Sequence, residues 1–177
     1  MADMRRGRSG NAMLEFTLVG IPMIFILISV FEMARGMWVY HTLAYAVKEG
    51  ARFAIVHGQN CGVRPNICEI TVGQLTTRIK DAGVGLMPQD LAVALYYGDV
   101  NDGAAASVTC NPLASCLANG NFWPDPANPG AQVGQLISIR GAYPFRSALS
   151  MFWPGNYGPV KFMTVNFGAT STEEIQF

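Results

Sequence analysis

Residues Ala12 to Phe31 form a twenty-residue apolar run interrupted by one charge, Glu15. At about 1.5 Å of helical rise per residue the run reaches roughly 30 Å, the thickness of a bilayer hydrocarbon core. Nothing else in the chain constrains its fold as strongly, because such a helix calls for lipid around it. Composition agrees: charged residues make up 14% of the 177 residues, against about 25% in soluble domains, and the apolar excess lies near the N-terminus. A carboxylate at a bilayer-facing position costs roughly 2.5–3.5 kcal/mol, so Glu15 is a functional hypothesis by default. The chain beyond the helix, residues 58–177, is one domain's worth of sequence.

The flanks set an expected orientation. Arg5, Arg6 and Arg8 face only Asp3 in residues 1–10, so this leader should stay in the cytoplasm and the C-terminal part should cross the membrane. Of twelve basic and twelve acidic side chains, nine and eleven remain when those ten residues are set aside. No basic stripe offers itself to a nucleic acid. Two plainer readings compete, a cleaved secretory signal and an uncleaved signal anchor. Against the first stand the acid near the start of the run and the lack of a small-x-small cleavage site. The sequence Glu32-Met-Ala-Arg-Gly-Met-Trp38 reads instead as more helix.

The stretch Gly10-Asn11-Ala12-Met13-Leu14-Glu15-Phe16, set between a basic leader and an apolar helix, resembles the processing site of type IV prepilins. The resemblance implies cleavage after Gly10 by a prepilin peptidase, which leaves a new α-amino group on Asn11 and makes Glu15 the fifth residue. The chemistry suits the spacing. A small residue precedes the scissile bond, and a carboxylate about one turn from the amine neutralises the N-terminus of an adjacent subunit in lipid, where neither charge is tolerable alone. The simpler alternative is that Glu15 snorkels to the cytoplasmic interface.

A second motif narrows the family. Ala46-Val-Lys48-Glu49-Gly50-Ala51-Arg52-Phe53-Ala54 resembles the Arg-Glu-Gly-Ala-Arg region of TadE-like pseudopilins of the tight-adherence (Tad) pilus, with Lys48 in place of the first arginine. Gln135 to Phe145 is similar to the family's later strand and its Tyr-Pro-Phe turn. The resemblance covers residues 5–57 and, more weakly, 132–175; residues 58–131 match nothing. It implies a minor pilin or pseudopilin that primes, caps or regulates an adhesive pilus, since the family's major subunits are far smaller. Implied partners are the prepilin peptidase, other pilin-like subunits and the inner-membrane pilus machinery. The implied location is the inner membrane, single-pass, N-terminus in and C-terminal domain periplasmic, or outside the cell in a pilus. The rivals are a membrane-anchored periplasmic binding or sensing domain and, more remotely, an anchored enzyme.

Three segments follow: a leader over 1–10, a transmembrane and amphipathic helix over 11–57, and an α+β domain over 58–177. Met33, Met37, Tyr40, Ala44, Val47, Ala51 and Ala54 recur at spacings of four and three, an apolar stripe that continues the helix. Gly58 is placed to end it. Pro22 inside the helix predicts a kink, since it lacks an N–H and clashes with the carbonyl of Leu18. Beyond, Val72, Leu75, Ile79 and Ala82 predict a short amphipathic helix. Residues 91–97, the stretch with Val133, Ile137 and Ile139 on one face, and residues 160–172 predict strands, with a long loop over 98–131. A small antiparallel sheet packed on one long helix is an α+β, pilin-like arrangement.

Cys61, Cys68, Cys110 and Cys116 all lie beyond the helix, and an even count in an oxidising compartment predicts disulfides. Three pairings are open; Pro65 and Pro112 favour turns that close 61–68 and 110–116. No Cys-x-x-Cys or paired His supports a metal, and no cofactor is expected. Asp99-Val-Asn101-Asp102-Gly103 has its glycine one place early for a calcium loop and lacks the later glutamate, so a plain turn is expected. Phe145, Met151, Phe152, Trp153 and Tyr157 make an aromatic stretch, suited to the core or to a partner. His41 and His57 have no nucleophile or metal motif beside them, and no phosphate loop appears, so no enzyme is expected.

Overall fold

The computed structural model describes residues 9–57, 69–148 and 164–176, with side chains from Ala12 onward. The chain divides into two compact units, Met1–Met37 and Trp38–Phe177. One helix, α1 (Ser9–Ile55), carries residues of both. The second unit adds α2 (Val72–Ala82), β1 (Ala92–Tyr97), β2 (Ala106–Cys110), β3 (Leu136–Phe145) and β4 (Val165–Glu174), with short 3-10 turns between β1 and β3. A long apolar N-terminal helix followed by a four-stranded antiparallel sheet is an α+β arrangement.

The sheet runs β2-β1-β3-β4. Its spine is β3, which pairs with β1 from Ile137 to Ala142 and with β4 along its whole length. The α2 helix starts on a capping box, in which Thr71 Oγ1 accepts from the Gln74 amide and Gln74 Oε1 accepts from the Thr71 amide. Val72, Leu75, Thr76 and Ile79 are its buried face, spaced three and four apart. Thr76 donates its hydroxyl to Val72 O, so the one polar member of that face is satisfied.

Within the second unit α1 lies against the sheet and α2, and glycine sets the distance. A Cβ at Gly141 of β3 would stand 2.6 Å from Val47 Cγ2 and 3.0 Å from Leu43 Cδ1. A Cβ at Gly50 would stand 2.5 Å from Ile79 Cγ1. A side chain at either position would force these neighbours to shift, so the glycine backbone itself forms part of the interface. Leu43, Val47, Leu75, Ile79, Leu95, Ile137 and Ile139 fill the core around them, all fully buried.

Several expectations need correction. The buried face of α1 runs through Gly36, Val39, Leu43, Ala46, Val47, Gly50, Ala51, Ala54 and Ile55. Met33, Met37 and Tyr40, expected on the stripe, are 68%, 57% and 45% exposed. The expected stripe was one position out over its first half: Gly36, Val39 and Leu43 face inward where Met37, Tyr40 and Ala44 were expected. Residues 98–131 are not all loop: β2 lies inside them. Tyr143-Pro144-Phe145 is not a turn but the end of β3, paired with Phe167, Asn166 and Val165. Val133 precedes β3, and β4 is set over Val165–Glu174, with residues 160–163 outside the described part.

Candidate functional site

Every described side chain from Ala12 to Val19 is exposed, Phe16 to 77% and Leu14 to 64%. Exposure of large residues continues around the helix to Phe31, at 69%. Such a surface in water would forfeit the burial that drives folding, at about 25 cal/mol per Å². By length and composition this helix can cross a membrane. Its hydroxyls suit lipid as well. Thr17 donates to Met13 O or Leu14 O at 3.1 and 3.0 Å, and Ser29 donates to Phe25 O at 2.8 Å, so neither is left without a partner.

Glu15 is the exception on this surface. Its carboxylate is exposed and, among the described residues, has neither an ion-pair nor a hydrogen-bond partner. Gly10 and Asn11 stand in the first turn of α1, where backbone N–H groups have no intrahelical acceptor. Pro22 lies within α1, which remains helical through it. Its missing N–H leaves the Leu18 carbonyl without the usual backbone donor.

The second motif turns out to build the fold. Gly50 makes the close approach to Ile79, and Ala51 is buried beside it. Glu49 Oε1 accepts from Arg78 Nη2 at 2.6 Å and so ties α1 to α2. Lys48 and Arg52 point to solvent. Sequence alone gave no sign that Arg78 was the partner of Glu49, because the two are joined only through the helix packing.

Cys110 and Cys116 are joined in a disulfide, which links the end of β2 to the 3-10 turn Leu113–Cys116. Cys61 and Cys68 lie outside the described residues, as do Met151, Phe152, Trp153 and Tyr157. Phe145 is in the core, its ring 5.4 Å from that of Phe167. Asp99 accepts from the Asn101 amide and caps a 3-10 turn that closes at Gly103 with φ of 82°. The residues form a turn. His57 donates through Nδ1 to Phe53 O at 2.6 Å, and His41 is exposed beside Tyr40. No group of three or more metal-ligating side chains occurs among the described residues.

One groove, of about 520 Å³, opens beside Tyr97, Ser107, Phe122, Trp123, Asp125 and Asn128. Its polar atoms mostly serve the loop that forms it. Trp123 Nε1 donates to Ser107 Oγ, which in turn donates to Leu95 O. The Asp125 amide donates to the Tyr97 hydroxyl, Asp125 Oδ1 accepts from Ala127 N, and Asn128 Oδ1 accepts from Gly130 N. Burial pushes the Tyr97 hydroxyl above its ordinary pKa of 10.0; the Asp125 amide opposes this and the Asp125 charge adds to it. The groove reads as a well-satisfied turn, and no motif announced it, since its residues come together only in the fold.

A family model described as TadE-like protein matches residues 10–52. The match covers the first motif and the second as far as Arg52, and over these residues the chain is similar to that family. No curated protein and no solved structure gave a match.

Proposed function

We propose that the chain is a minor pilin or pseudopilin that acts in assembly of an adhesive Tad pilus, by priming, capping or regulating it. One observation carries the proposal: Glu15, a carboxylate with no partner among the described residues, on an apolar and exposed helix surface inside the segment that the TadE-like model matches. An ionised acid in lipid calls for a cation, and the described chain supplies none near it. In this reading a prepilin peptidase cuts after Gly10, and the amine it frees on Asn11 pairs with Glu15 of a neighbouring subunit. The N-terminus lies in the cytoplasm, and the second unit lies in the periplasm or on a filament. Pro22 supplies a weak point at which the helix bends or melts when it leaves the bilayer for a filament. The role is structural rather than catalytic.

Intact-mass measurement of the protein from a host with the cognate peptidase tests the reading. A mature chain starting at Asn11 is expected. A full-length mass, or a cut beyond Phe31, would return the chain to an anchored periplasmic binding or sensing domain.

A further inference from the structure

The second unit has an apolar end, the one at which α1 enters it. Trp38 is the first residue of that unit and is 52% exposed, and Tyr40, two positions on, is 45% exposed. The loop after α2 packs down on the Trp38 indole: a Cβ at Gly85, where φ is 88°, would stand 2.4 Å from Trp38 Cη2. That loop displays Val84 and Met87, at 68% and 61% exposure. The Met87 amide lies 3.5 Å from the Tyr143 hydroxyl at the same end of the sheet. There β3 finishes and β4 begins, with Phe145 opposite Val165, and Val165 is 56% exposed. Tyr40 meets this edge through Phe167, the ring centroids 6.0 Å apart.

Four chain segments far apart in sequence thus bring large apolar and aromatic side chains to one rim. Water is a poor solvent for such a rim, and the covalent neighbour of its first member identifies a better one. Trp38 lies seven residues beyond Phe31 in the same helix, about 10 Å of rise. The headgroup layer extends roughly 5–8 Å beyond the hydrocarbon on each side, so an upright helix sets the Trp38 backbone a few ångströms past it, and helix tilt with the reach of the indole brings the ring to it. Trp and Tyr concentrate at that depth because their rings are apolar and their N–H and O–H groups remain wet.

We infer that Trp38, Tyr40, Met87 and Val165 form a collar by which the second unit rests on a lipid headgroup surface. The collar rests on the reading of Ala12–Phe31 as a membrane span. It would hold the second unit against the bilayer before the chain enters any assembly, and it makes extraction a step that uncovers apolar surface.

The test uses full-length protein in phosphatidylcholine–phosphatidylglycerol vesicles, with single tryptophans placed in a Trp38→Phe, Trp153→Phe background. Trp123 stays as a buried reference, at 1% exposure. Met87→Trp is the informative variant, since its position in the sequence does not itself place it beside the span. Asn101→Trp, in an exposed turn beyond the opposite end of β1, is the control, and Ile24→Trp reports the span. Lipid carrying a headgroup nitroxide should quench Met87→Trp about twofold more than Asn101→Trp, while acyl-chain nitroxide quenches Ile24→Trp. If Ile24→Trp is quenched but Met87→Trp answers only to aqueous iodide, the collar is wrong and the span stands. Protection of Met87→Trp from both quenchers would show a protein surface over the rim, which also overturns the collar. An unquenched Ile24→Trp would remove the span and the collar together.

Discussion

From Ala12 to Phe31, α1 presents bulky side chains in every direction; from Val39 to Ile55, it turns one mixed face of Leu, Val, Ile, Ala and Gly toward a sheet and a second helix. The first stretch has thirteen large hydrophobic residues that are more than half exposed, and a single acid. The second has Leu43, Ala46, Val47, Gly50, Ala51 and Ala54 buried, with Lys48 and Arg52 exposed and Glu49 paired with Arg78 of α2. On the proposed reading one continuous helix serves two solvents: its exposed half meets lipid or other chains, and its other half packs within the second unit.

That contrast breaks most visibly under matched leucine truncations. Leu43→Ala should destabilise the second unit by about 2–5 kcal/mol, since Leu43 is fully buried. Leu27→Ala, at 60% exposure, should leave unfolding unchanged within about 0.5 kcal/mol. Thermal unfolding in detergent, followed by near-ultraviolet circular dichroism, measures both; equal effects would erase the distinction.

The disulfide sharpens the comparison next. Cys110→Ser with Cys116→Ser opens a loop with a sequence separation of 6, which should cost the second unit about 2 kcal/mol. Membrane insertion of α1 should not change, and carbonate extraction of both forms checks this.

Glycine gives a subtler pair. Gly50→Ala drives a methyl into Ile79 and should cost about 1–3 kcal/mol, against a helix-propensity gain of at most about 1 kcal/mol. At Gly20 the nearest atom to a new Cβ is 3.8 Å away, so Gly20→Ala should be neutral or slightly stabilising. Their midpoints in denaturant should move in opposite directions or differ clearly in size.

The smallest effect is one of pH. Tyr97 is held neutral in the fold by burial, above its ordinary value of 10.0. Unfolding thus releases its proton more readily, so the stability linked to it is full below pH 10 and is lost as pH rises through the raised folded value. Tyr97→Phe should flatten that alkaline slope in the second unit, while the span, which lacks tyrosine, shows none.

How much of this was legible depended on whether a signal was local. The apolar run and the helix Val72–Ala82 each follow from neighbours in sequence, and each was readable. The buried face of α1 was read only in its second half. Met33 and Met37 fit a helical period as well as Gly36 and Val39 do, and only the packing in the fold shows which of them face inward. The β2 strand escaped because Ala106–Cys110 is a five-residue edge strand with only Cys110 fully buried, so it carries almost no alternation. Tyr143-Pro144-Phe145 looked like a turn because proline removes a donor. In the fold the β1 pairing of β3 stops at Ala142, opposite Ala92 at the start of β1, so Pro144 lies beyond it, where its missing N–H costs no bond to β1.

The central claim is that the bulky half of α1 is a surface for other chains and lipid, organised by one acid. Glu15→Gln tests it most directly, because it keeps the shape and hydrogen-bonding capacity and removes the charge. At equal expression, the variant should still be exported and cleaved after Gly10, yet should fail to co-purify with pilin-like partners and fail to support pilus assembly. Assembly and co-purification at wild-type levels would contradict the account and leave Glu15 as a bystander on a simple anchor.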